Sequence, residues 1–200
     1  MTRDEILEAA ALIFGQKGFH ATSMQDIARA VDLQKASLYH HFPGGKQELL
    51  VDILDWALDL LIEHMQEVVA LAAPPGEKLR RAMQVYLETV LNYRAPAAVL
   101  LLEHRSLDPE LHARHIPRRD RFERLWRDLI QEGMAEGTFN CTDPALAGRA
   151  LLGVMNWTIT WYRPEGSLSA EAIAQQFSDL FLNGLLVQDG REVSDKRRTV

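Results

Sequence analysis

Cysteine is almost missing from these 200 residues. Cys141 stands alone, so no intrachain disulfide can form, and a reducing compartment fits. Long apolar runs are missing too. None approaches the ~18 residues that a membrane span requires, so no membrane partner is expected. The N-terminal Met-Thr-Arg-Asp-Glu turns acidic at once and lacks the basic start and apolar core of a secretory signal, so a cytoplasmic chain is expected. Strong charge of one sign is lacking. The net charge of −6 argues against a non-specific polyanion binder and leaves a sequence-specific one open. No stretch alternates apolar and polar residues for long, which argues against half-buried strands.

Catalytic signatures are absent as well. There is no phosphate-cradling glycine loop and no Gly-x-Ser-x-Gly elbow. Cys141 lies in an expected loop with no obvious base beside it, so it is not expected to act as a nucleophile. His112 and His115 are three apart, with Glu103, His104 and Glu110 near in sequence. Pro109 and Pro117 break that stretch, and such histidines serve more often as solvated or capping groups. No metal, no cofactor and no enzyme activity are expected.

What is present is apolar residues at spacings of three and four almost throughout, with glycine and proline falling between the periodic stretches. The expected fold is all-α, with about nine helices. The first runs over 3–17, with Ile6, Ala10, Ile13 and Phe14 inward and Gly18 ending it. Ser23 caps a short second helix ending near Ala30, with Asp26 in its first turn. A third spans 35–41 and stops at Pro43-Gly44-Gly45. Longer helices follow at about 46–72, 77–93 and 96–105. Asp108-Pro109 and Pro117 are possible starts for the next, which ends near Gly137. Asp143-Pro144 opens a helix to about 161, and Ser169 caps the last one, with Leu168 and Ile173 as a possible hydrophobic staple. The expected division is 1–45, 46–188, and a polar tail over 189–200.

Residues 22–42 have the layout of a helix-turn-helix. Ile27, Ala28, Val31 and Leu38 pack two short helices together, across a turn at Val31, Asp32 and Leu33. The second helix then offers Gln34, Lys35, Ser37, Tyr39 and one or both of His40 and His41 to a duplex groove.

The N-terminal text resembles the TetR-like bacterial transcriptional regulators. The matching segments are Ile6-Leu7-Glu8-Ala9-Ala10, Phe14, Gly18-Phe19, Thr22-Ser23-Met24-Gln25-Asp26-Ile27-Ala28, Lys35-Ala36-Ser37-Leu38-Tyr39-His40-His41-Phe42 and Lys46-Gln47-Glu48-Leu49-Leu50. They cover nearly all of residues 3–50 in order and spacing. The resemblance implies a recognition helix at 34–41, with Ser23, at the head of the preceding helix, among the DNA-binding residues. It also implies phosphate contacts from Thr22, Tyr39, one of the histidine pair, and Lys46. Three positions depart from the usual pattern. Asp32 stands where the turn usually has glycine, and Asp tolerates the left-handed conformation. Gln34 replaces the usual Ser or Thr cap, which either frays that end or frees Gln34 for a base. Pro43-Gly44-Gly45 replaces a shorter link. Residues 1–50 hold five Lys and Arg against six Asp and Glu, so binding must rest on local placement and two-fold symmetry. A shallow salt dependence follows, with ~4–6 phosphates neutralised per dimer.

The C-terminal part is similar to a subset of that family that senses acyl-CoA thioesters of fatty-acid, aromatic-acid or steroid breakdown. The segments carrying this are Arg119-Asp120-Arg121-Phe122-Glu123-Arg124-Leu125, Gln131-Glu132-Gly133-Met134, Gly153-Val154-Met155-Asn156-Trp157 and residues 161–169. Tyr86, Tyr93, Phe122, Trp126, Asn156, Trp157 and Trp161 are the candidate lining of an apolar tunnel; the aromatics serve equally as ordinary core. Arg118 and Arg119, within a cluster from Arg114 to Arg127, either meet CoA phosphates or form a solvated face with Asp120, Glu123 and Asp128. Leu151, Leu152, Phe177, Leu180, Phe181 and Gly184 are the candidate interface of a homodimer. The expected function is a repressor released from a palindromic double-stranded DNA operator by an acyl-CoA thioester. A sensor of a hydrophobic drug or xenobiotic is the alternative, and a helical enzyme or interaction module the remote one.

Overall fold

The computed structural model describes residues 2–185. Among these, nine α-helices and one short 3-10 turn are present: α1 Arg3–Lys17, α2 Met24–Ala30, α3 Lys35–His41, α4 Gly45–Val69, α5 Pro75–Asn92, α6 Arg94–Leu102, the turn His104–Ser106, α7 Pro109–Ala135, α8 Pro144–Trp161 and α9 Ala170–Leu185. The all-α expectation is met. The expected tail at 189–200, with residues 186–188, lies outside the described residues.

Local chemistry accounts for several boundaries. Thr2 and Glu5 form a reciprocal capping box at α1: the Glu5 N–H donates to Thr2 Oγ1 at 3.2 Å, and the Thr2 N–H to Glu5 Oε2 at 2.7 Å. Ser23 and Asp26 do the same for α2, at 3.2 and 2.9 Å. Asp143 accepts the N–H groups of Ala145 and Leu146 at the start of α8, and Ser169 accepts that of Ala172 in α9. Asp32 takes φ +51 in the turn after α2, the left-handed conformation its short polar side chain tolerates. Pro74 and Pro75 open α5, which starts two residues before the expected position because a proline at N1 needs no N–H partner. α4 ends at Val69, three residues short of the expectation, and α6 gives way to the 3-10 turn rather than continuing to 105.

Pro117 does not start a helix. α7 runs unbroken through it for 27 residues. The carbonyl of Ala113, left without its usual N–H, belongs to an exposed residue on an exposed stretch of α7. Buried His115 before the proline and Phe122 and Trp126 after it hold both halves of α7 in register. α7 therefore carries His112 and His115 on one rod. Even so, no group of three or more His, Cys, Asp or Glu able to hold a metal occurs among the described residues. His115 is not a solvated or capping group. It is buried, with Nδ1 3.1 Å from Asp55 Oδ1 on α4.

α4 is the axis of the molecule, packing on α1, α5, α6 and α7. Its buried face, from Leu49 and Leu50 through Leu58 and Leu61 to Val68, belongs to the same hydrophobic core as Ile6, Phe14 and Leu38. The small head of α1–α3 thus gains a core it is too short to build alone. α9 packs on α5, and α8 lies against α5, α6 and α7. No helix among the described residues is long and apolar enough to cross a membrane.

Candidate functional site

The first candidate surface is α3. Leu38 and Phe42 are fully buried and anchor it on the head's core, with Ile27, Ala28 and Val31 of α2 and its turn. Anchoring one stripe forces the rest outward. Gln34, Lys35, Ser37, Tyr39 and His40 are exposed, and His41 is half-buried. Gln34 makes no capping bond and is available. The Lys35 ammonium lies 5.8 Å from the Tyr39 ring centroid. Gly45 backs that ring. It has φ +64, and a Cβ there would stand 3.3 Å from Tyr39 Cε1, so glycine serves both the turn and the ring.

Thr22, Ser23 and Lys46 are engaged within the protein. Thr22 is buried, and its hydroxyl donates to the Gly18 carbonyl at 2.8 Å. Ser23 is held in the α2 cap. Lys46 Nζ donates to the carbonyls of Phe19 and Thr22 at 2.9 and 2.8 Å and lies 4.3 Å over the Phe19 ring. These residues shape the loop that presents α2 and α3.

The second candidate is a cavity of about 150 Å³ in the body. Leu58 and Leu61 of α4, Tyr86 of α5, Leu100 and Leu101 of α6, His104 of the 3-10 turn, Arg119, Phe122 and Glu123 of α7, and Leu152 and Asn156 of α8 line it. The Tyr86 hydroxyl donates to Asn156 Oδ1. Burial pushes the Tyr86 hydroxyl's pKa far up, so it is a permanent donor. Tyr86 stacks on Phe122 with centroids 5.9 Å apart, and Trp126 meets both rings edge-on. Arg119 pairs with Glu123 at 3.4 Å. Burial, seconded by the Arg119 charge, lowers the pKa of His104 and favours its neutral form. Beside the cavity runs a polar groove lined by Asp120, Glu123, Arg124, Arg127 and Arg149, and the two share Glu123 and Leu152.

The structure brings together three of the expected lining residues, Tyr86, Phe122 and Asn156, and sets Arg119, expected to meet CoA phosphates, among them. Others fall elsewhere. Trp126 is buried behind Tyr86 and Phe122. Trp157 and Trp161 point off the outer side of α8, at 65% and 40% exposure. Tyr93 is 45% exposed and meets Trp56 edge-on at the far end of α5. Arg118 turns toward α4, where it pairs with Asp59 and lies 3.5 Å from Asp55. Of the expected interface residues, Leu151 is fully buried core and Leu152 lines the cavity. Leu180 and Gly184 are exposed on α9, while Phe177 and Phe181 are half-buried. Leu58, Leu61, Leu100, Leu101, His104 and Glu123 were not anticipated. Their helical periodicity marks the first four as inward-facing but cannot tell a void from packed core.

Polar contacts tie the end of α6 to the head. Glu103 Oε1 accepts the Phe19 N–H at 3.1 Å, and the Ser106 hydroxyl meets His20 Nε2 at 3.2 Å. Gln47 at the start of α4 donates to the Ser106 carbonyl and accepts from the Asp108 N–H, both at 3.0 Å.

A helix-turn-helix head carried on a helical, cavity-bearing body defines a DNA-binding regulator with a ligand-binding core. The model for bacterial regulatory proteins of the tetR family matches residues 6–53, and that for the tetracyclin repressor-like C-terminal domain matches residues 72–185. The transcriptional repressor KstR2 of Mycolicibacterium smegmatis is 33% identical over 193 residues, covering 94% of this chain and 92% of that one. The crystal structure of the TetR family regulator PfmR from Thermus thermophilus superposes with a TM-score of 0.84 at 41% identity, covering 90% of this chain and 98% of that one. AibR, in complex with isovaleryl coenzyme A and operator DNA, gives a TM-score of 0.81 at 29% identity, with 92% and 97% covered. The chain belongs to the TetR family: it is a ligand-responsive DNA-binding transcriptional regulator, not an enzyme.

Proposed function

We propose that this chain is a cytoplasmic, homodimeric repressor, released from a palindromic operator by an acyl-CoA thioester. One observation carries the choice of effector. A cavity lined by leucines, Tyr86 and Phe122 adjoins a groove bearing three arginines, Arg124, Arg127 and Arg149. An acyl thioester of CoA has the same two halves: an apolar group joined to a polyanionic nucleotide. Arg149 lies 3.7 Å from Glu123 and Arg127 3.7 Å from Asp128, both loose enough to be exchanged for phosphate, and Arg124 has no ion-pair partner among the described residues. Arg118, bound to Asp59, has no part in the site. AibR, whose complex contains isovaleryl coenzyme A, supports the same effector class.

The recognition surface is Gln34, Lys35, Ser37, Tyr39 and His40, which are free to meet bases and phosphates. The dimer forms on α8 and α9. Leu146, Val154, Trp157 and Trp161 on α8 and Leu180 on α9 leave a large apolar area in water, and Gly184 lets a partner helix approach closely. Two heads must fit two half-sites at once. An effector that binds one arrangement of the heads better than the other therefore controls occupancy, with a coupling of typically ~1–3 kcal/mol.

The test is a titration of acyl-CoA thioesters into the protein bound to DNA from its own upstream region, with free CoA and free acids as controls. Release by thioesters alone is the expected result. Release by an uncharged hydrophobic drug, with no response to any thioester, would assign the cavity to a xenobiotic instead.

A further inference from the structure

We infer that the ring cluster of Tyr86, Phe122 and Trp126 is a length stop, which restricts the effector to a thioester with a short branched or single-ring acyl group; this rests on the acyl-thioester function proposed above.

The cavity has two ends. At one it shares Glu123 and Leu152 with the arginine groove, and that is where the nucleotide half must leave. At the other, Tyr86 and Phe122 close it. Behind them lies a second void of only about 10 Å³, against His64, Met65, Val85, Thr89 and Trp126. An acyl chain entering from the groove and filling the cavity comes up against the Tyr86 and Phe122 rings, which separate it from that void. A cavity of about 150 Å³, apolar along its leucines and rings and polar at His104, Arg119, Glu123 and Asn156, holds one benzene-sized group. A straight chain of ten or more carbons exceeds it.

The wall is fixed. Tyr86 is held at its tip by Asn156, on its face by Phe122 and at its edge by Trp126. Trp126 is 1% exposed, and the void of about 10 Å³ beside it is too small to take a displaced ring. Swinging Tyr86 aside breaks the bond to Asn156 and leaves a buried hydroxyl unpaired. The Asn156 side-chain amide N–H₂ has no hydrogen-bond partner among the described residues. It can therefore donate to an oxygen on a compact acyl group.

The experiment is calorimetric titration of the intact protein with isovaleryl-, phenylacetyl-, lauroyl- and palmitoyl-CoA. Wild type is expected to bind the first two at least ten-fold more tightly than the last two. Phe122→Ala joins the cavity to the void behind it and should tighten lauroyl-CoA at least ten-fold while weakening isovaleryl-CoA. Phe122→Leu, a milder truncation, carries the same expectation at smaller size if the alanine variant does not fold. Equal or tighter lauroyl-CoA binding by wild type overturns the length stop alone, as does an unchanged preference in a folded Phe122 variant. Failure of all four thioesters to bind overturns the acyl-thioester function beneath it.

Discussion

The Glu103 carboxylate accepts the backbone N–H of Phe19 at 3.1 Å, joining the end of α6 to the turn that follows α1. The residues on either side of Glu103 give that contact its meaning. Leu100, Leu101 and His104 line the cavity, and Ser106 touches His20 and Gln47. One short run of chain thus has the cavity on one flank and the head on the other.

Glu103→Ala should uncouple the two. Two bonds to the carboxylate are lost, from the Phe19 N–H and from the Ser106 hydroxyl, and their net worth of about 1–2 kcal/mol is of the order of the whole coupling energy. Effector affinity of the free protein should stay within two-fold. The effector-induced loss of operator affinity should shrink about five-fold, as fluorescence anisotropy with and without effector would measure. An undiminished response would place the coupling elsewhere, for example in the pairing of Arg118 with Asp59 between α7 and α4.

Lys35 and Lys46 should fail in different ways. Lys35 is exposed and without an ion pair among the described residues. Lys35→Ala should leave thermal stability unchanged and lower the log-log salt slope of operator binding by about 1 per protomer. Lys46 holds the carbonyls of Phe19 and Thr22. Lys46→Ala should cost about 1.5–3 kcal/mol of stability and lower Tm by roughly 5 °C, with operator binding falling as a consequence. A Lys46 variant of normal Tm that lost only DNA affinity would assign it a direct phosphate contact.

The head was largely legible in the sequence because its chemistry is local. Caps, a left-handed turn position and one buried stripe determine α1–α3, and the bounds of α1 and α3 agree with the expectation. The body was less so. Whether Trp126, Trp157 or Trp161 faces inward depends on which side of α7 and α8 meets α5, and periodicity supplies a stripe without saying which neighbour covers it. Trp157 lies one residue from Asn156, yet Asn156 lines the cavity and Trp157 faces outward. Arg118 and Arg119 divide in the same way, the first to Asp59 and the second to the cavity.

Gly133 should tolerate no side chain. A Cβ there would lie 2.2 Å from Cδ2 of Phe139, a buried ring that cannot move aside freely. Gly133→Ala should cost about 1–3 kcal/mol and lower Tm by roughly 3–10 °C. Adding Phe139→Leu should recover part of the loss, since the clash is with that ring. Additive losses in the double variant would show that the two sites do not interact.

His104 should make stability pH-dependent on the acid side of neutrality. Its folded-state pKa lies below the ordinary value of 6.5, through burial and then the Arg119 charge. Between those two values the unfolded chain binds a proton that the folded chain refuses, so stability rises with pH across that window. Above 6.5 both states are neutral and the effect vanishes. Denaturant titrations should therefore show wild type losing stability as pH falls below 6.5, and His104→Gln losing less. Equal losses in the two proteins would contradict the assignment.

Trp157 and Leu180 are 65% and 66% exposed, on the two helices proposed to meet a second copy. Isolated residues of this kind need no explanation, but Leu146, Val154 and Trp161 share the outer side of α8 with Trp157. A charge placed there has water to solvate it in the monomer and none in a dimer. Trp157→Glu and Leu180→Glu should therefore leave the helical signal and the single-protomer fold intact while shifting sedimentation from dimer to monomer. Operator binding should fall at least a hundred-fold, because one head forfeits the second half-site. A variant that remained a dimer with normal operator affinity would move the interface off this face.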